Sequence, residues 1–420
     1  MCHYRVHTNS RSYFIIPNCP KVHIAVFSQY HTNPDCPATS RHYALLAHIA
    51  RTHRVTLITT RTWEQQRLTQ EFSWLPEGVE MHAANVPYHN KMGIRRRALA
   101  FGQYATYALR EGLRIAKPDV IWGISTPLTA AWAAEQVARW RRVPWVFEVQ
   151  DLWPSFPVAM GAVPNQWAQK RLFSMEKSLY QSARHILPLS PGMTSYIRNL
   201  GIPEQKLTTV LNGTDFDLAA RATDATVAAL RQQLHLEGRR VVLYAGTFGR
   251  ANNIPMLIGA ALALAASCPE VTWLFMGHGY DEVLLREAAA AYPFIRLVPP
   301  QPRHAVFTWF RLADVSVVSF LGLPVLDANS PAKLYDSLAV GTPVIVTNKG
   351  WTRDLVEDNG CGWYSPADDA SALAQQLRHL FKHPELLQAA SKASYQIAAT
   401  TFDRQKIAAI MQEVLEQAIN

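Results

Sequence analysis

Apolar runs that predict strands alternate along the first half of the chain with segments of helical period. Helical segments such as "ATSRHYALLAHIART" separate most of these runs. The runs before residue 212 are "KVHIAVFSQ", "HRVTLITT", "DVIWGIS", "PWVFEVQ", "HILPLS" and "KLTTVLN". Continuous apolar strands between helices are typical of parallel sheets that are covered on both faces.

The alternation restarts after a polar stretch near 217–238. Helices are expected to begin at Pro255, Asp281 and Arg303, and a closing helix is expected in "FDRQKIAAIMQEVLEQAI". The predicted strands are "RVVLYAGTFG", "VTWLFMGHG", "FIRLVP", "DVSVVSF" and "GCGWYS". Two such runs in series predict an α/β protein with two doubly wound parallel-sheet domains.

The length of 420 residues agrees with two domains, because it exceeds what one ordinary core organises. We expect a disordered extension over 1–20, a first domain over 21–211 and a second domain over 212–395. The last segment, 396–420, is predicted to be a helix that crosses back to the first domain.

Composition places the chain among globular proteins, with 49% apolar and 17% charged residues. The five cysteines form neither a CxxC pair nor a zinc-type spacing, which favours a reducing compartment. The longest apolar segment, "IPMLIGAALALAAS", is shorter than the roughly 18–20 residues of a membrane span and predicts a buried helix. The first twenty residues lack the apolar core of a signal peptide and are interpreted as a disordered extension or as the result of an upstream start codon.

Glycines follow two of the predicted strands in the second domain. Gly246-Thr247-Phe248-Gly249-Arg250 follows one strand, and Gly277-His278-Gly279 follows the next. Ligands of open parallel sheets bind beyond the carboxyl ends of the strands. Because glycine lets backbone amides approach a ligand closely, these loops are candidate binding loops. Taken singly, each is also explained as a tight turn.

The segment "DANSPAKLYDSLAVGTPVIV" predicts a short helix with an anion site at its start. Ser330 is a suitable N-cap, Pro331 a suitable first residue and Gly341 a left-handed stop. Lys333 opposes the helix dipole unless an anion compensates it. Asp336, on the same side, is placed to accept hydrogen bonds from hydroxyls. A phosphate attached to a sugar fits this pattern, and a capped surface helix with a Lys–Asp pair is the alternative.

Three stretches resemble a known family. "NSPAKLYDSLAVGTPVIV" is similar to the signature S-P-x-K-L-x-E-x-x-A-x-G-x-P-V of retaining glycosyltransferases of family 4, and "LFMGHGYDE" resembles their G-x-G loop. "PWVFEVQDLWPSFPVAMGAV" resembles a segment of the branch that acts in bacterial surface-polysaccharide (O-antigen or capsule) assembly, which transfers amino sugars or deoxysugars. The resemblance covers about residues 21–420. It implies the GT-B fold, in which two Rossmann-like domains face a cleft.

The resemblance also implies a nucleotide-sugar donor held by the second domain. Amides at Gly246-Thr247 and at Ser330-Pro331, together with Lys333, would bind the diphosphate, and a carboxylate at position 336 would bind the ribose. Gly277 and Gly279 belong to the same donor site.

The chain departs from the family pattern at several positions. Asp336 is a shorter carboxylate than the usual glutamate, and the first loop of the first domain, "YHTNPDCPATS", lacks the glycines that members often carry there. Ala328 stands where members carry a second acidic residue, and Asp327 lies beside it, out of register. Thr247 and Asn252 replace a usual arginine and lysine, for which Arg250 is the nearest substitute.

Asp151 is the first candidate for catalysis in the first domain. It follows a buried strand and precedes Trp153-Pro154, so it is expected at the cleft as a general base or as a ligand of the donor sugar. A helix cap is the alternative. Glu148 is the second candidate. His31 and Tyr30, in the loop after the first strand, are candidates for the acceptor site, although chance placement explains one histidine among 15 equally well.

No metal or other cofactor is expected. Helix N-termini and Lys333 would stabilise the leaving nucleotide electrostatically. The one DxD sequence, Asp215-Phe216-Asp217, lies in the connector and is interpreted as turn and cap residues.

The formal net charge of +9 includes seven Lys/Arg and one Glu between Lys91 and Lys117. On a helix, Arg96, Arg110, Arg114 and Lys117 share one face, whereas the opposite face, predicted to pack on the sheet, carries Ile94, Ala98, Phe101, Ala105 and Ala108. The basic face is either solvated or docks on anionic lipid. A nucleic-acid partner is not expected, because aromatics are not interleaved with the basic residues.

These features predict a cytoplasmic, membrane-peripheral, retaining glycosyltransferase. Its donor would be a nucleotide sugar, presumed from the resemblance to be a UDP sugar, and its type hexosyl or N-acetylhexosaminyl. Its acceptor would be a polyprenyl-diphosphate-linked glycan. A non-hydrolysing UDP-sugar epimerase of similar fold and a non-catalytic GT-B protein that binds nucleotide sugars are the alternatives.

Overall fold

The chain folds around two six-stranded parallel sheets in a computed structural model that describes residues 22–31, 41–61, 75–88 and 92–420. The expected extension over 1–20 lies outside these residues. The strands are β1 His23–Phe27, β2 Arg54–Thr60, β3 Val79–Ala84, β4 Val120–Ile124, β5 Trp145–Val149, β6 His185–Pro188, β7 Arg240–Ala245, β8 Val271–Met276, β9 Ile295–Val298, β10 Val315–Val318, β11 Val344–Val346 and β12 Gly362–Tyr364.

Both sheets have the same topology. The first has the order β3-β2-β1-β4-β5-β6, and the second has the order β12-β11-β10-β7-β8-β9. All pairs are parallel, and the strand order reverses between β1 and β4 and between β7 and β10. Reversal of strand order opens a crevice at the carboxyl ends of the strands, where ligands of doubly wound sheets bind. The predicted pair of Rossmann-like domains is confirmed.

Helices cover both faces of each sheet, and six of the twelve strands are buried along their whole length. The helices are α1 Arg41–Ile49, α2 Ile94–Arg114, α3 Leu128–Arg141, α4 Ser155–Ala159, α5 Gln166–Ser182, α6 Pro191–Asn199, α7 Phe216–Ala219, α8 Asp224–Gln233, α9 Ile254–Ala265, α10 Glu282–Ala291, α11 Arg303–Leu312, α12 Ala332–Ala339, α13 Trp351–Asp358, α14 Ala370–Lys382, α15 Pro384–Thr401 and α16 Arg404–Gln417.

The segment "KLTTVLN", predicted to be a strand, connects the two domains instead. A single bridge pairs Leu207 with Ile186 of β6. The Thr208 and Val210 amides donate to carbonyls of β6, at 3.0 and 2.9 Å. The apolar side chains of this segment are explained by its position along β6, the edge strand of the first sheet. The short strand β3 was not predicted, because "VEMHAA" has no continuous apolar run.

The chain crosses between the domains a second time before α16. Ile407, Met411 and Leu415 of α16 pack with the apolar side chains of α1 and β2. The two crossings touch each other, because Thr214 pairs with Asp403. A double crossing of this kind places the hinge between the domains at residues 210–217 and 402–404.

The apolar segment around residue 254 forms α9, which packs against α14 inside the second domain. Within the described part of the chain, no helix combines the length and the apolar character needed to cross a bilayer.

Candidate active site

Lys333 lies in the first turn of α12, at the carboxyl edge of the second sheet. Its ammonium donates to the Tyr244 hydroxyl at 2.9 Å and lies 4.0 Å from the centre of the Tyr244 ring. No ion pair joins it to a carboxylate in the described part of the chain. Burial lowers the pKa of Lys333 to about 7. The site therefore holds a half-buried cation beside a helix N-terminus, which is an arrangement suited to an anion.

The two glycine loops converge beside this lysine. A Cβ at Gly246 would lie 3.0 Å from the Lys333 ammonium, and a Cβ at Gly277 would lie 1.8 Å from the Gly246 carbonyl oxygen. A Cβ at Gly279 would meet the backbone of Phe248 at 2.6 Å. These glycines have φ of 140°, 151° and 158°. They are needed because the loops pack backbone against backbone.

One predicted ligand amide is already engaged in this structure. The Gly246 amide donates to the Met276 carbonyl oxygen at 2.8 Å, within the contact between the two loops. Thr247 is exposed beside it. Gly246 was expected to bind the diphosphate through its amide. In this structure its absent side chain instead leaves space for the Lys333 ammonium.

Helix α12 begins differently from the prediction. Pro331 is the N-cap, and the Ser330 hydroxyl bonds to the Tyr335 hydroxyl at 2.7 Å instead of capping a backbone amide. The Asn212 amide from the interdomain connector donates to the Ser330 carbonyl oxygen at 3.2 Å. The connector thus fixes the start of the helix, which the sequence pattern did not indicate. Gly341 has the expected left-handed conformation, with φ of 76°.

Asp336 does not face the Lys333 side chain as expected. Its carboxylate is buried, pairs with Arg303 of α11 through bonds of which one is 2.7 Å, and accepts from the Thr214 hydroxyl at 2.8 Å. Both oxygens are occupied in this arrangement, so Asp336 joins α11, α12 and the connector. Sequence reasoning missed Arg303 as this partner, because the two residues are 33 positions apart and no local pattern connects them.

Arg250 is exposed on the loop that follows β7. Its guanidinium lies 4.2 Å from the centre of the Tyr280 ring and donates to the Tyr280 hydroxyl. Tyr280 comes from the loop with Gly277 and Gly279. The contact between Arg250 and Tyr280 therefore joins the two glycine loops and forms a surface with one charged and one aromatic side chain. This surface is suited to a planar ligand.

Asp151 lies just beyond β5, at the carboxyl edge of the first sheet. The Thr126 hydroxyl donates to its carboxylate at 3.3 Å. Burial raises the pKa of Asp151 to about 6, which the Thr126 hydrogen bond only partly opposes. A carboxylate that titrates near neutrality and has one weak partner retains the basicity needed to accept a proton.

Glu148, the second catalytic candidate, is a buried structural residue. Its carboxylate pairs with Arg41 at 3.2 Å and accepts from Trp122 and Gln150, each at 3.1 Å. Burial alone would raise its pKa, but Arg41, His42 and Gln150 together lower the pKa to about 2. Glu148 is therefore too weak a base to deprotonate a sugar hydroxyl. Arg41 also donates to the Leu211 and Asn212 carbonyls, so the pair ties the first domain to the connector.

The two acceptor-site candidates lie under the surface at the end of β1. His31 is buried, and burial lowers its pKa to about 3. The Tyr30 ring packs at 4.7 Å on that of Tyr88, and burial raises its pKa. Both side chains are therefore neutral near pH 7.

The DxD sequence belongs to the hinge. Asp215 pairs with Arg303 at 3.3 Å and also with Arg404, while Asp217 accepts from Gln405 at 3.2 Å. Among the residues that the structure describes, no three metal-binding side chains lie close enough together to share an ion.

The domains touch where the resemblance places a second acidic residue. Ala328 is buried against Gly192, at which a Cβ would lie 2.9 Å from the Ala328 Cα, and the Ser190 hydroxyl donates to the Ala328 carbonyl oxygen. A small residue at 328 therefore suits the close contact. Asp327 does not replace the missing carboxylate, because it accepts from the Lys349 amide at 2.9 Å.

Two six-stranded parallel sheets of the same doubly wound topology, joined by two chain crossings, place the protein in the GT-B class. Residues 38–213 match the model of the glycosyl transferase 4-like domain, and residues 227–397 match that of glycosyl transferases group 1. The chain belongs to the glycosyltransferases that combine these two domains.

Curated relatives are similar over part of their length. A putative colanic acid biosynthesis glycosyltransferase, WcaL of Salmonella typhimurium, is 25% identical over 55% of this chain and 56% of the relative. WcaI of Escherichia coli, with a similar description, is 24% identical over 56% of this chain and 59% of the relative. The chain thus spans little more than half the length of these relatives.

Solved structures share the fold at low identity. HepE of Anabaena, in complex with UDP-glucose, superposes with a TM-score of 0.69 at 17% identity, over 94% of this chain and 100% of that one. A sucrose-phosphate synthase of Thermosynechococcus elongatus gives 0.72 at 19% identity, over 94% and 99%. These likenesses agree with the GT-B fold.

Proposed function

We propose that the chain is a retaining glycosyltransferase that uses a nucleotide-diphosphate sugar. Lys333 carries the proposal, because it is a half-buried cation without an ion-pair partner in the described part of the chain, beside a helix start and two glycine loops. As the sugar leaves, negative charge grows on the diphosphate, and a preorganised cation stabilises that charge. The UDP-glucose complex of HepE supports a UDP sugar as the donor. We propose that the transferred group is a hexosyl or N-acetylhexosaminyl group.

We also propose that Asp151 handles the acceptor side of the reaction. Its carboxylate belongs to the first domain, whereas Lys333 belongs to the second, so a sugar between the domains would meet both. Asp151 would accept the acceptor hydroxyl proton or hold the donor sugar. Relatives named for colanic acid biosynthesis support a role in polysaccharide synthesis. We propose that the acceptor is a polyprenyl-diphosphate-linked glycan and that the enzyme is bound peripherally at the cytoplasmic face of the membrane.

The test is transfer by the purified full chain. UDP and other nucleotide sugars are first ranked by the rise in melting temperature that they cause. The best donor is then incubated with extracted polyprenyl-linked glycans, and nucleotide release and the anomeric configuration of the product are measured. The proposal expects release that depends on acceptor and a product with the donor's anomeric configuration; an inverted product would contradict retention.

The same assay separates the alternatives. A non-hydrolysing epimerase should convert the donor, with nucleotide release or a new sugar configuration, when acceptor is omitted. A non-catalytic binding protein should show the stabilisation by nucleotide sugar but no turnover with any acceptor.

We expect transfer without a divalent metal ion. The positive charge that a metal would bring to the diphosphate is supplied by Lys333 and the start of α12. Initial rates measured after extensive EDTA treatment should equal those measured with Mg²⁺ or Mn²⁺. Complete loss in EDTA with recovery in Mn²⁺ would contradict this expectation.

The pH dependence of kcat/KM should be bell-shaped. Asp151 acts when ionised, above its pKa of about 6, and Lys333 acts when protonated, below its pKa of about 7. The rate should therefore rise through pH 6 and fall above pH 7. Bound diphosphate favours the charged lysine, so the upper limb should move to higher pH in the profile of kcat. A profile that is flat across both values would contradict these assignments.

A further inference from the structure

Helix α2 carries an exposed stripe along its full length of about 31 Å. Exposed positions recur every three or four residues, as a helix facing solvent requires: Arg95, Leu99, Gly102, Thr106, Arg110 and Leu113. Lys117, which is also exposed, lies just beyond the end of the helix. The sequence-based assignment of faces was wrong at one end of the helix. Ala105 and Ala108 pack inward as expected, but Ile94 and Ala98 are exposed.

Large apolar side chains occupy the two ends of this stripe. Ile94 is 59% exposed and Leu99 is 62% exposed near the start of α2, while Leu113 is 36% exposed near its end. Leaving such side chains in water forgoes the free energy of their burial. A solvated basic face would be served equally well by polar residues at these positions.

Trp140 of α3 extends the apolar end of the stripe. Gly112 of α2 packs against Val137, since a Cβ at Gly112 would lie 2.8 Å from that side chain. Arg141 donates to the Ile115 carbonyl oxygen at 2.9 Å. These contacts place the end of α3 beside the end of α2, and Trp140, between Val137 and Arg141, is 71% exposed there.

Basic residues flank the apolar side chains. Glu111 is the only acidic residue between Ile94 and Lys117. Its carboxylate forms an ion pair with Arg114 at 3.1 Å and lies 3.5 Å from His82. The exposed basic residues of α2, α3 and their ends are Arg95, Arg96, Arg110, Arg114, Lys117, Arg139 and Arg142.

We infer that this surface, Ile94, Leu99, Leu113 and Trp140 with the flanking basic residues, docks the protein on an anionic lipid bilayer. A helix lying in the plane of the membrane inserts apolar side chains among the acyl chains while its arginines and lysines contact the lipid phosphates. The inference deepens the proposed function, on which it rests, because it names the face that brings the chain to a lipid-linked acceptor.

The second domain provides a contrast. Helix α10 exposes Val283 at 62% and Leu284 at 42%, which match Leu99 and Leu113 in size and exposure. Its neighbouring charges are Glu282, Glu287 and Arg286, with a net negative sum. An anionic membrane repels such a face, so α10 serves as the internal control.

The experiment measures co-sedimentation of the full chain with vesicles of phosphatidylcholine alone or of equal parts of phosphatidylcholine and phosphatidylglycerol. The charge variant combines Arg95→Gln, Arg110→Gln and Lys117→Gln, and its control combines Arg221→Gln, Arg378→Gln and Lys392→Gln. The apolar variant combines Leu99→Glu and Leu113→Glu, and its control combines Val283→Glu and Leu284→Glu. Melting temperatures establish that each variant is folded, and the charge variant changes only exposed side chains.

The wild type should bind the anionic vesicles and bind neutral ones far more weakly. Each charge removed from the stripe should weaken binding about fivefold, so the charge variant should lose about 100-fold, and both controls should bind like the wild type. Equal binding to both vesicle types, equal losses in variants and controls, or a charge variant that binds like the wild type would overturn the inference. So would a wild type that self-associates through this stripe and ignores vesicles.

Failure of this inference can be told apart from failure of the proposed function. Vesicle binding is measured without donor or acceptor and does not depend on catalysis. If the surface docks as inferred, the charge variant should transfer sugar normally to an acceptor dispersed in detergent and slowly to one embedded in anionic vesicles. Normal transfer in both settings would overturn the docking surface and leave the transferase intact.

Discussion

Replacing Lys333 with alanine should lower the rate of sugar transfer by about 30- to 1000-fold, or roughly 2–4 kcal/mol of transition-state stabilisation. The reason is the position of its ammonium, beside Gly246 and the start of α12, with the Tyr244 hydroxyl as its hydrogen-bond partner. Alanine removes the charge from the side of the leaving diphosphate. Initial rates at saturating donor and acceptor measure the effect.

Two further variants show that charge is responsible. Lys333→Met keeps most of the apolar stem and should lose nearly as much activity as Lys333→Ala. Lys392→Ala removes an exposed lysine of α15, far from the glycine loops in sequence, and should behave like the wild type. If Lys333→Ala turned over within threefold of the wild type, the assignment of the donor site would be wrong.

Replacing Asp151 with asparagine should lower the chemical step by about 10²- to 10⁴-fold, the usual contribution of a general base. Asparagine keeps the shape and still accepts the hydrogen bond from Thr126, but it loses the charge and the basicity. Donor affinity should change little, because Lys333 and α12 lie in the other domain. Transfer at saturating donor and calorimetric titration with UDP measure the two quantities separately.

Each alternative role for Asp151 has its own result. A normal rate would make Asp151 a structural residue, whereas lost UDP-sugar affinity with a normal saturated rate would make it a donor ligand. Asp358→Asn, an exposed change on α13, is the matched control. Glu148 is not expected to replace Asp151 as the base. Its pKa of about 2 makes it a weak base, and its ion pair with Arg41 is enclosed in the first domain.

The hydrophobic pattern predicted the two sheets and most of their strands because strand and helix periods are local properties of the chain. It failed at "KLTTVLN", which has the composition of a strand but lies against β6 through one bridge. An apolar segment becomes a strand only if a sheet edge is free to pair with it and the chain does not have to pass to the next domain. Neither condition can be inferred from a segment of seven residues.

The sequence by itself also indicated the candidate donor site, because glycines that follow strands and a lysine in the first turn of a helix are local features of the chain. Only the tertiary structure decided the partners of the carboxylates. Asp336 meets Arg303 at 33 residues' separation, and Glu148 meets Arg41 at 107. Long-range packing selects such pairs, because a buried carboxylate must find a donor wherever the fold brings one. Packing thereby paired both of these carboxylates with buried arginines, whereas Asp151 accepts one side-chain hydrogen bond, from Thr126, within the described part of the chain.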